Sequence, residues 1–330
     1  MAQIYYDADA NLDLLSEKKI AILGYGNQGH AHALNLRDSG CDVVVGLAAE
    51  SKSRQRAEAD GFAVLPSSVA AKQADMIMLL APDQDHREIF EREIRPVLTS
   101  GKMLMTCHGF SLHYSQITPP PNVDVAMVAP KGPGHTLRHL YTKGSGLFAL
   151  WAVYQDATSH AEALTLAYAR AIGCTRTGAL RTTMAEETET DLFGEQAVLC
   201  GGITELVLAG FETLMEAGYQ PEVAYIECMH EVKLVVDLLC RGGMDYMHKA
   251  ISDTAEYGAY VAGPRLIDRH TRNEMRKILQ EIQNGVFASN WMLENRVGRP
   301  SFLTMRHRYA RHQVEEVGRV VRNIIFSSEE

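Results

Sequence analysis

A short apolar run, Ile20-Ala21-Ile22-Leu23, passes directly into Gly24-Tyr25-Gly26-Asn27-Gln28-Gly29, and a helix-compatible stretch begins at His30. No other feature restricts the possible folds of this chain as strongly. Between a strand and a helix, the first glycine of G-x-G-x-x-G permits the tight turn and the second lets the backbone approach a ligand. The third lets the helix pack on the strand, and the helix N-terminus meets a pyrophosphate. In that context the pattern predicts a dinucleotide site with Gly24, Tyr25, Gly26, Asn27, Gln28 and Gly29 as its floor.

The first half of the chain repeats this alternation. Apolar runs at 20–23, 42–45, 76–80, 103–107, 125–129 and 149–154 are separated by amphipathic stretches such as 30–39, 84–98 and 159–172. Continuous apolar runs fit strands covered on both faces, so a doubly wound, Rossmann-like parallel sheet is expected. From about Arg181 the strand signal stops. Helical patterns follow at 192–199, 203–217, 222–239, 272–284 and 311–325, punctuated by Gly201-Gly202, Gly218-Tyr219-Gln220-Pro221 and Gly242-Gly243. The expected class is α/β followed by all-α, with residues 1–181 binding nucleotide and 182–330 forming a helical domain. There is no internal repeat.

A net charge of −9 gives no general attraction for nucleic acid or anionic lipid, so an anionic ligand must be held by local positive groups. No apolar run in the sequence reads as a membrane span, and the first residues lack the basic-then-apolar order of a signal peptide, so the cytoplasm is the expected compartment. The six cysteines contain no C-x-x-C pair, which argues against a zinc site or a disulfide framework.

In a nucleotide domain of this kind, the end of the second strand meets the adenosine ribose. Here it reads Gly46-Leu47-Ala48-Ala49-Glu50-Ser51-Lys52-Ser53-Arg54. Ser51, Lys52, Ser53 and Arg54 offer hydroxyls and cations to a 2′-phosphate, while Glu50 repels one and suits a free diol. NADPH is favoured, with NADH use expected beside it. Three further loops at strand C-terminal ends carry polar groups: Asp83 and Gln84 in the first, His108 in the second, Lys131 and Gly134 in the third. His108 suits proton transfer or orientation, and Lys131 in its Gly/Pro-rich turn suits an anion.

In the helical half, Asp191 and Glu195 are four residues apart, as are Glu227 and Glu231. The second pair lies in a helix apolar on nearly all faces, which is expected to be largely buried. Two carboxylates buried one turn apart repel and lose hydration, and divalent metal relieves both costs. Four carboxylates balance two Mg²⁺ ions, and hard oxygen ligands suit Mg²⁺ better than zinc.

The stretches 24–31, 128–136, 187–196, 227–231 and 251–258 together resemble the ketol-acid reductoisomerases, in their shorter class I form, over nearly the whole chain. The resemblance implies a Mg²⁺-dependent alkyl migration in 2-acetolactate or 2-aceto-2-hydroxybutyrate. NADPH reduction then gives 2,3-dihydroxy-3-methylbutanoate or 2,3-dihydroxy-3-methylpentanoate, for valine and isoleucine synthesis. It further implies that Asp191 and Glu195 ligate metal from one subunit of a homodimer while Glu227 and Glu231 come from the other. Ser252 would contact the substrate carboxylate, and His108, Lys131 and Glu231 would serve proton movement or orientation. The helical domain would be knotted and interleaved between subunits, with further assembly of dimers left open. Three positions depart from the common pattern: Ala48 stands where arginine is usual, Glu50 where a small residue is common, and Ser111 where asparagine is frequent. The rival readings are a metal-independent hydroxyacid dehydrogenase and a catalytically inactive NADP-binding sensor. A ferritin-like di-iron bundle would need Glu-x-x-His twice, and only Glu227-x-x-His230 is present.

Overall fold

The computed structural model describes residues 2–326, which divide into two units after Thr190. The first unit holds one nine-stranded sheet formed by β1 (Ile4–Tyr5), β2 (Lys19–Leu23), β3 (Asp42–Gly46), β4 (Val64–Leu65), β5 (Met76–Leu79), β6 (Met103–Thr106), β7 (Asp124–Pro130), β8 (Ala149–Gln155) and β9 (Ala179–Arg181), in the order β1-β9-β8-β7-β6-β5-β2-β3-β4. Neighbours from β4 through β7 pair in parallel. Alternate side chains leave each strand on opposite faces. Ile20, Ile22, Met76 and Met78 therefore enter one buried cluster, with Ala31 and Leu34 from the helix Asn27–Asp38. Ala21, Leu23, Ile77 and Leu79 enter another, with Ala70, Phe90 and Ile94. Burial on both faces is what the unbroken apolar runs call for.

The structure corrects the wholly parallel sheet. β8 runs antiparallel to β7, with Ala149 opposite Pro130. The nine-residue helix Gly134–Thr142 and a turn through Gly144, at φ +75°, return the chain to the edge it left, and periodicity does not report direction. β1, β4 and β9 are not legible in the sequence, since two or three residues carry no measurable period. The helical pattern at 84–98 resolves into Asp83–Asp85, His86–Ile89, a π-helical Phe90–Ile94 and Arg95–Val97.

Among its described residues the second unit holds helices joined by short turns and no strand. Its buried cluster is small: Phe211, Ala224, Tyr225, Val314 and Val321. Helix Glu231–Ala250, broken in backbone conformation at Gly243 (φ +78°), buries none of its residues, and neither does Asp253–Leu266. This corrects the expected burial of the Glu227 and Glu231 segment. Both carboxylates are exposed in the single chain, as are Leu234 and Val235 beside them. Met244 and Tyr257 are 74% and 71% exposed, far more apolar surface than a stable unit leaves to water. The helical run Met184–Glu216 also corrects the reading of spans, for it is long and apolar enough to cross a membrane by length and composition. Its acids, among them Asp191, Glu195, Glu205 and Glu212, stand along it.

Candidate active site

The C-terminal ends of β2, β3, β5 and β6 open onto a cleft enclosing about 1120 Å³. Gly24, Tyr25, Gly26, Asn27 and Gln28 line it, followed by Glu50, Ser51, Ser53 and Arg54 at the adenosine end and Asp83, Cys107 and His108 at the other. The glycines divide their work. Gly24 takes φ +105°, and a Cβ at Gly29 would come within 2.1 Å of Gly24 O, so these two build the turn and its packing. A Cβ at Gly26 would meet nothing within 4 Å, which leaves that backbone open to the approach of a ligand. The buried Oε1 of Gln28 has no protein partner among the described residues, although its Nε2 donates to Gly132 O at 3.0 Å. The open backbone and the helix N-terminus fit a dinucleotide phosphate, while the orphaned Gln28 Oε1 calls for a donor, such as a hydroxyl or amide of the same ligand.

Four of the residues predicted to bind cofactor, Gly29, Lys52, Gln84 and Gly134, stand outside the cleft lining. Gly134 instead packs on the loop, where a Cβ would lie 2.0 Å from Asn27 O. Lys52 is exposed, and Arg54 reaches back toward Val64 O at 3.4 Å and Glu58 at 3.5 Å.

The chemistry-bearing cluster of the first unit gathers around a carboxylate that, by sequence, is one member of an acid run of the kind usually solvated. Glu187 is 1% exposed. It stands on the helix Met184–Phe193, whose first turn is closed by Thr183 Oγ1 accepting from Glu186 N. His108 Nδ1 donates to Glu187 Oε2 at 3.0 Å, Gly109 N donates to the same oxygen at 3.0 Å, and Lys131 Nζ donates to Oε1 at 2.7 Å. A Cβ on Gly109 would meet Thr188 Oγ1 at 2.3 Å, so glycine is what lets this helix sit flush against the His108 turn. A carboxylate accepts only, so His108 carries a proton on Nδ1. Burial pushes the Glu187 carboxyl up, but the hydrogen bond and charge of His108, with the charge and hydrogen bond of Lys131, outweigh it and hold it at about 2.

Because Glu187 is depressed below its ordinary 4.5, the unfolded chain takes up its proton first on acidification. Its stabilisation is complete above about pH 4.5 and falls with decreasing pH, by up to about 1.4 kcal/mol per pH unit. The difference in unfolding free energy between the protein and Glu187→Gln should therefore shrink as pH drops from about 5 to 3; a constant difference in urea melts contradicts the ion cluster.

One helical turn beyond Glu187 is half-buried Asp191, and one turn further is exposed Glu195. The spacing Glu187, Asp191, Glu195 is the one sequence signal that could have singled out Glu187. Both carboxylate pairs run through π-helical turns, Gly194–Leu199 around Glu195 and Ile226–His230 around Glu227, ending at Glu231. Such wide turns re-aim side chains and often mark functional positions. Among the described residues, no set of three or more ligand-bearing side chains within reach of one ion includes Glu195, Glu227 or Glu231. Ser252 is exposed and caps the helix Asp253–Leu266, its Oγ accepting from Ala255 N at 3.2 Å.

Family models for both halves match the chain: acetohydroxy acid isomeroreductase, NADPH-binding domain, over residues 14–178, and ketol-acid reductoisomerase, C-terminal domain, over residues 184–326. The chain belongs to the ketol-acid reductoisomerase family. A solved NADH-preferring ketol-acid reductoisomerase from an uncultured archaeon is 43% identical, with a TM-score of 0.95 over 97% of this chain and 98% of that one. A semialdehyde dehydrogenase NAD-binding protein from Cupriavidus necator, solved with calcium and NAD, is 19% identical with a TM-score of 0.64 over 81% of this chain and 99% of its own, a likeness of fold. A pyrroline carboxylate reductase from Plasmodium falciparum, solved with NADP, is 12% identical with a TM-score of 0.51 over 82% and 98%. This reductoisomerase is an oxidoreductase that acts on a small molecule and binds a nicotinamide cofactor.

Proposed function

We propose that the chain carries out Mg²⁺-dependent alkyl migration in 2-acetolactate or 2-aceto-2-hydroxybutyrate, followed by NAD(P)H reduction, at sites shared between two subunits. The observation that carries the reading is the buried Glu187 clasping His108, Gly109 N and Lys131. Bound magnesium supplies Lewis-acid polarisation of the substrate oxygens, and the nicotinamide supplies hydride.

The chain's own groups have separable roles. Glu187 holds His108 by its Nδ1 proton and holds the Lys131 ammonium where negative charge develops on substrate oxygen. Lys131 and His108 orient the substrate and move protons, together with Glu231. Ser252 keeps its hydroxyl hydrogen for the substrate carboxylate while its oxygen caps a helix. Asp191 and Glu195 ligate metal with Glu227 and Glu231 of the partner subunit. Hard carboxylate donors on paired helical turns fit Mg²⁺. The small second core and the apolar faces around Leu234 and Tyr257 support an interleaved, knotted homodimer that covers them. In this scheme residues 1–181 bind cofactor and 182–330 bind metal and substrate and dimerise. Cysteines held outside disulfides fit the reducing cytoplasm, where we place the enzyme.

Arg54 and Glu50 line the cleft beside Ser51 and Ser53, and Arg92 and Glu93 are also on its wall. A charged contact to a 2′-phosphate contributes about 1.5–3 kcal/mol, and a carboxylate beside it offsets much of that. NADPH should therefore be preferred over NADH by less than about a hundredfold. Oxidation of either nicotinamide with 2-acetolactate, with and without Mg²⁺, tests both claims. Turnover that survives chelation of divalent ions refutes the metal-dependent reaction, and rejection of NADH by three orders of magnitude, about 4 kcal/mol, refutes the role of Glu50.

A further inference from the structure

His86 begins the short helix after the Asp83–Asp85 turn, on the wall of the cofactor cleft, and is 3% exposed. Both of its ring nitrogens are bonded. Nε2 lies 2.8 Å from Ala81 O and Nδ1 lies 2.7 Å from Ser111 Oγ. A carbonyl can only accept, so the ring proton is on Nε2 and Nδ1 accepts from the serine hydroxyl. Burial holds the imidazole below its ordinary range; Asp83, the Ala81 carbonyl and Asp85 oppose that, and His108 adds to it. Asp83 itself is 3.8 Å from Nδ1.

The two partners belong to different loops. Ala81 precedes Asp83 in the loop after β5, whereas Ser111 lies in the Phe110–His113 turn, directly behind His108 and Gly109. Ser111 is fully buried, and its own carbonyl accepts from Gln116 N at 2.8 Å and Ile117 N at 3.1 Å, so the hydroxyl has a fixed base. Joining two loops in this way is costlier than filling the space with an apolar side chain, because each ring nitrogen must find a partner. The short Ser111 hydroxyl fits directly against the ring.

We propose that His86 is a positioning residue for the reaction, tying the cofactor-side loop through Ala81 O to the His108–Gly109 turn through Ser111 Oγ, so that the cleft and the His108–Glu187–Lys131 cluster keep a fixed spacing. This rests on the reading of His108 as part of the active site.

The test uses the full-length enzyme with 2-acetolactate, Mg²⁺ and NADPH. Ser111→Ala removes only the hydroxyl and should lower kcat about tenfold, and His86→Leu should do so at least as strongly. The double variant should be no worse than His86→Leu alone, since both cut one link. His86→Gln, whose amide can donate to Ala81 O and accept from Ser111, should recover kcat to within about threefold of wild type. Nitrogen-15 spectra of labelled histidine should show His86 neutral with its proton on Nε2 at neutral pH. Lowered melting temperature with unchanged kcat in Ser111→Ala and His86→Leu, while His108→Ala is inactive, overturns the proposal and leaves the active-site reading intact. Full turnover by His108→Ala overturns both. If His86→Leu does not fold, the kcat of Ser111→Ala decides the question.

Discussion

Replacing Glu187 with Gln should lower kcat by about 10² to 10³ while changing the Michaelis constant for NADPH by less than about threefold. The side chain is isosteric, so the helix Met184–Phe193 and its contact with Gly109 survive. What goes is the negative charge that three donors share. Hydrogen bonds to a charged group contribute about 1.5–3 kcal/mol each, roughly twice a neutral bond, and weakening those to His108 and Lys131 accounts for about 3–4 kcal/mol of lost preorganisation. Glu187→Ala should be worse in a second respect. It leaves the His108 and Lys131 donors facing an empty pocket, at a further stability cost of about 3 kcal/mol. The cofactor cleft is lined by other residues, so a variant that loses NADPH affinity in step with kcat would mean that Glu187 supports the fold of the first unit rather than the chemistry. A Glu187→Gln kcat within tenfold of wild type would remove the cluster from the mechanism.

The sequence makes some parts of this molecule plain and hides others, for physical reasons. The glycine loop is legible because backbone constraints at Gly24 and Gly29 are local: each can be read from its own few residues. The strands of the parallel core are legible because burial on both faces leaves unbroken apolar runs such as Met76–Leu79. Strand direction is not, since β8 differs from its neighbours only in where the chain turns back. Glu187 is hidden for a different reason. In Glu186-Glu187-Thr188-Glu189 the residue types are alike, and burial is decided by the helix face that meets Gly109, a contact 78 residues away in sequence. The π-helical turns at Glu195 and Glu227 leave no local signature at all, although they set the direction of both carboxylates. The apolar character of Glu231–Ala250 is plain in the sequence and its exposure in the single chain is not, because a pattern reports that a face needs covering and does not say by which chain.

Which chain supplies the cover can be decided by complementation. Asp191→Ala and Glu227→Ala should each abolish isomerisation, since four carboxylates are needed to balance two divalent ions and the loss of one disturbs both. Reduction of a ready-made 2-keto acid should suffer less, because hydride transfer needs less polarisation of the substrate. The two inactive chains, co-expressed and purified as mixed dimers, should then recover activity. In such a dimer one site combines both damaged positions, while the other combines the intact Asp191 of one chain with the intact Glu227 of its partner subunit. Each purified mixed dimer holds one intact site of two, so about half of wild-type activity per dimer should return. Sites built within one chain cannot give this result, because every chain in the mixture lacks one ligand. Mixed dimers verified by differently tagged chains and still inactive would place both carboxylate pairs in the same subunit, and the exposed helix Glu231–Ala250 would then need some other cover.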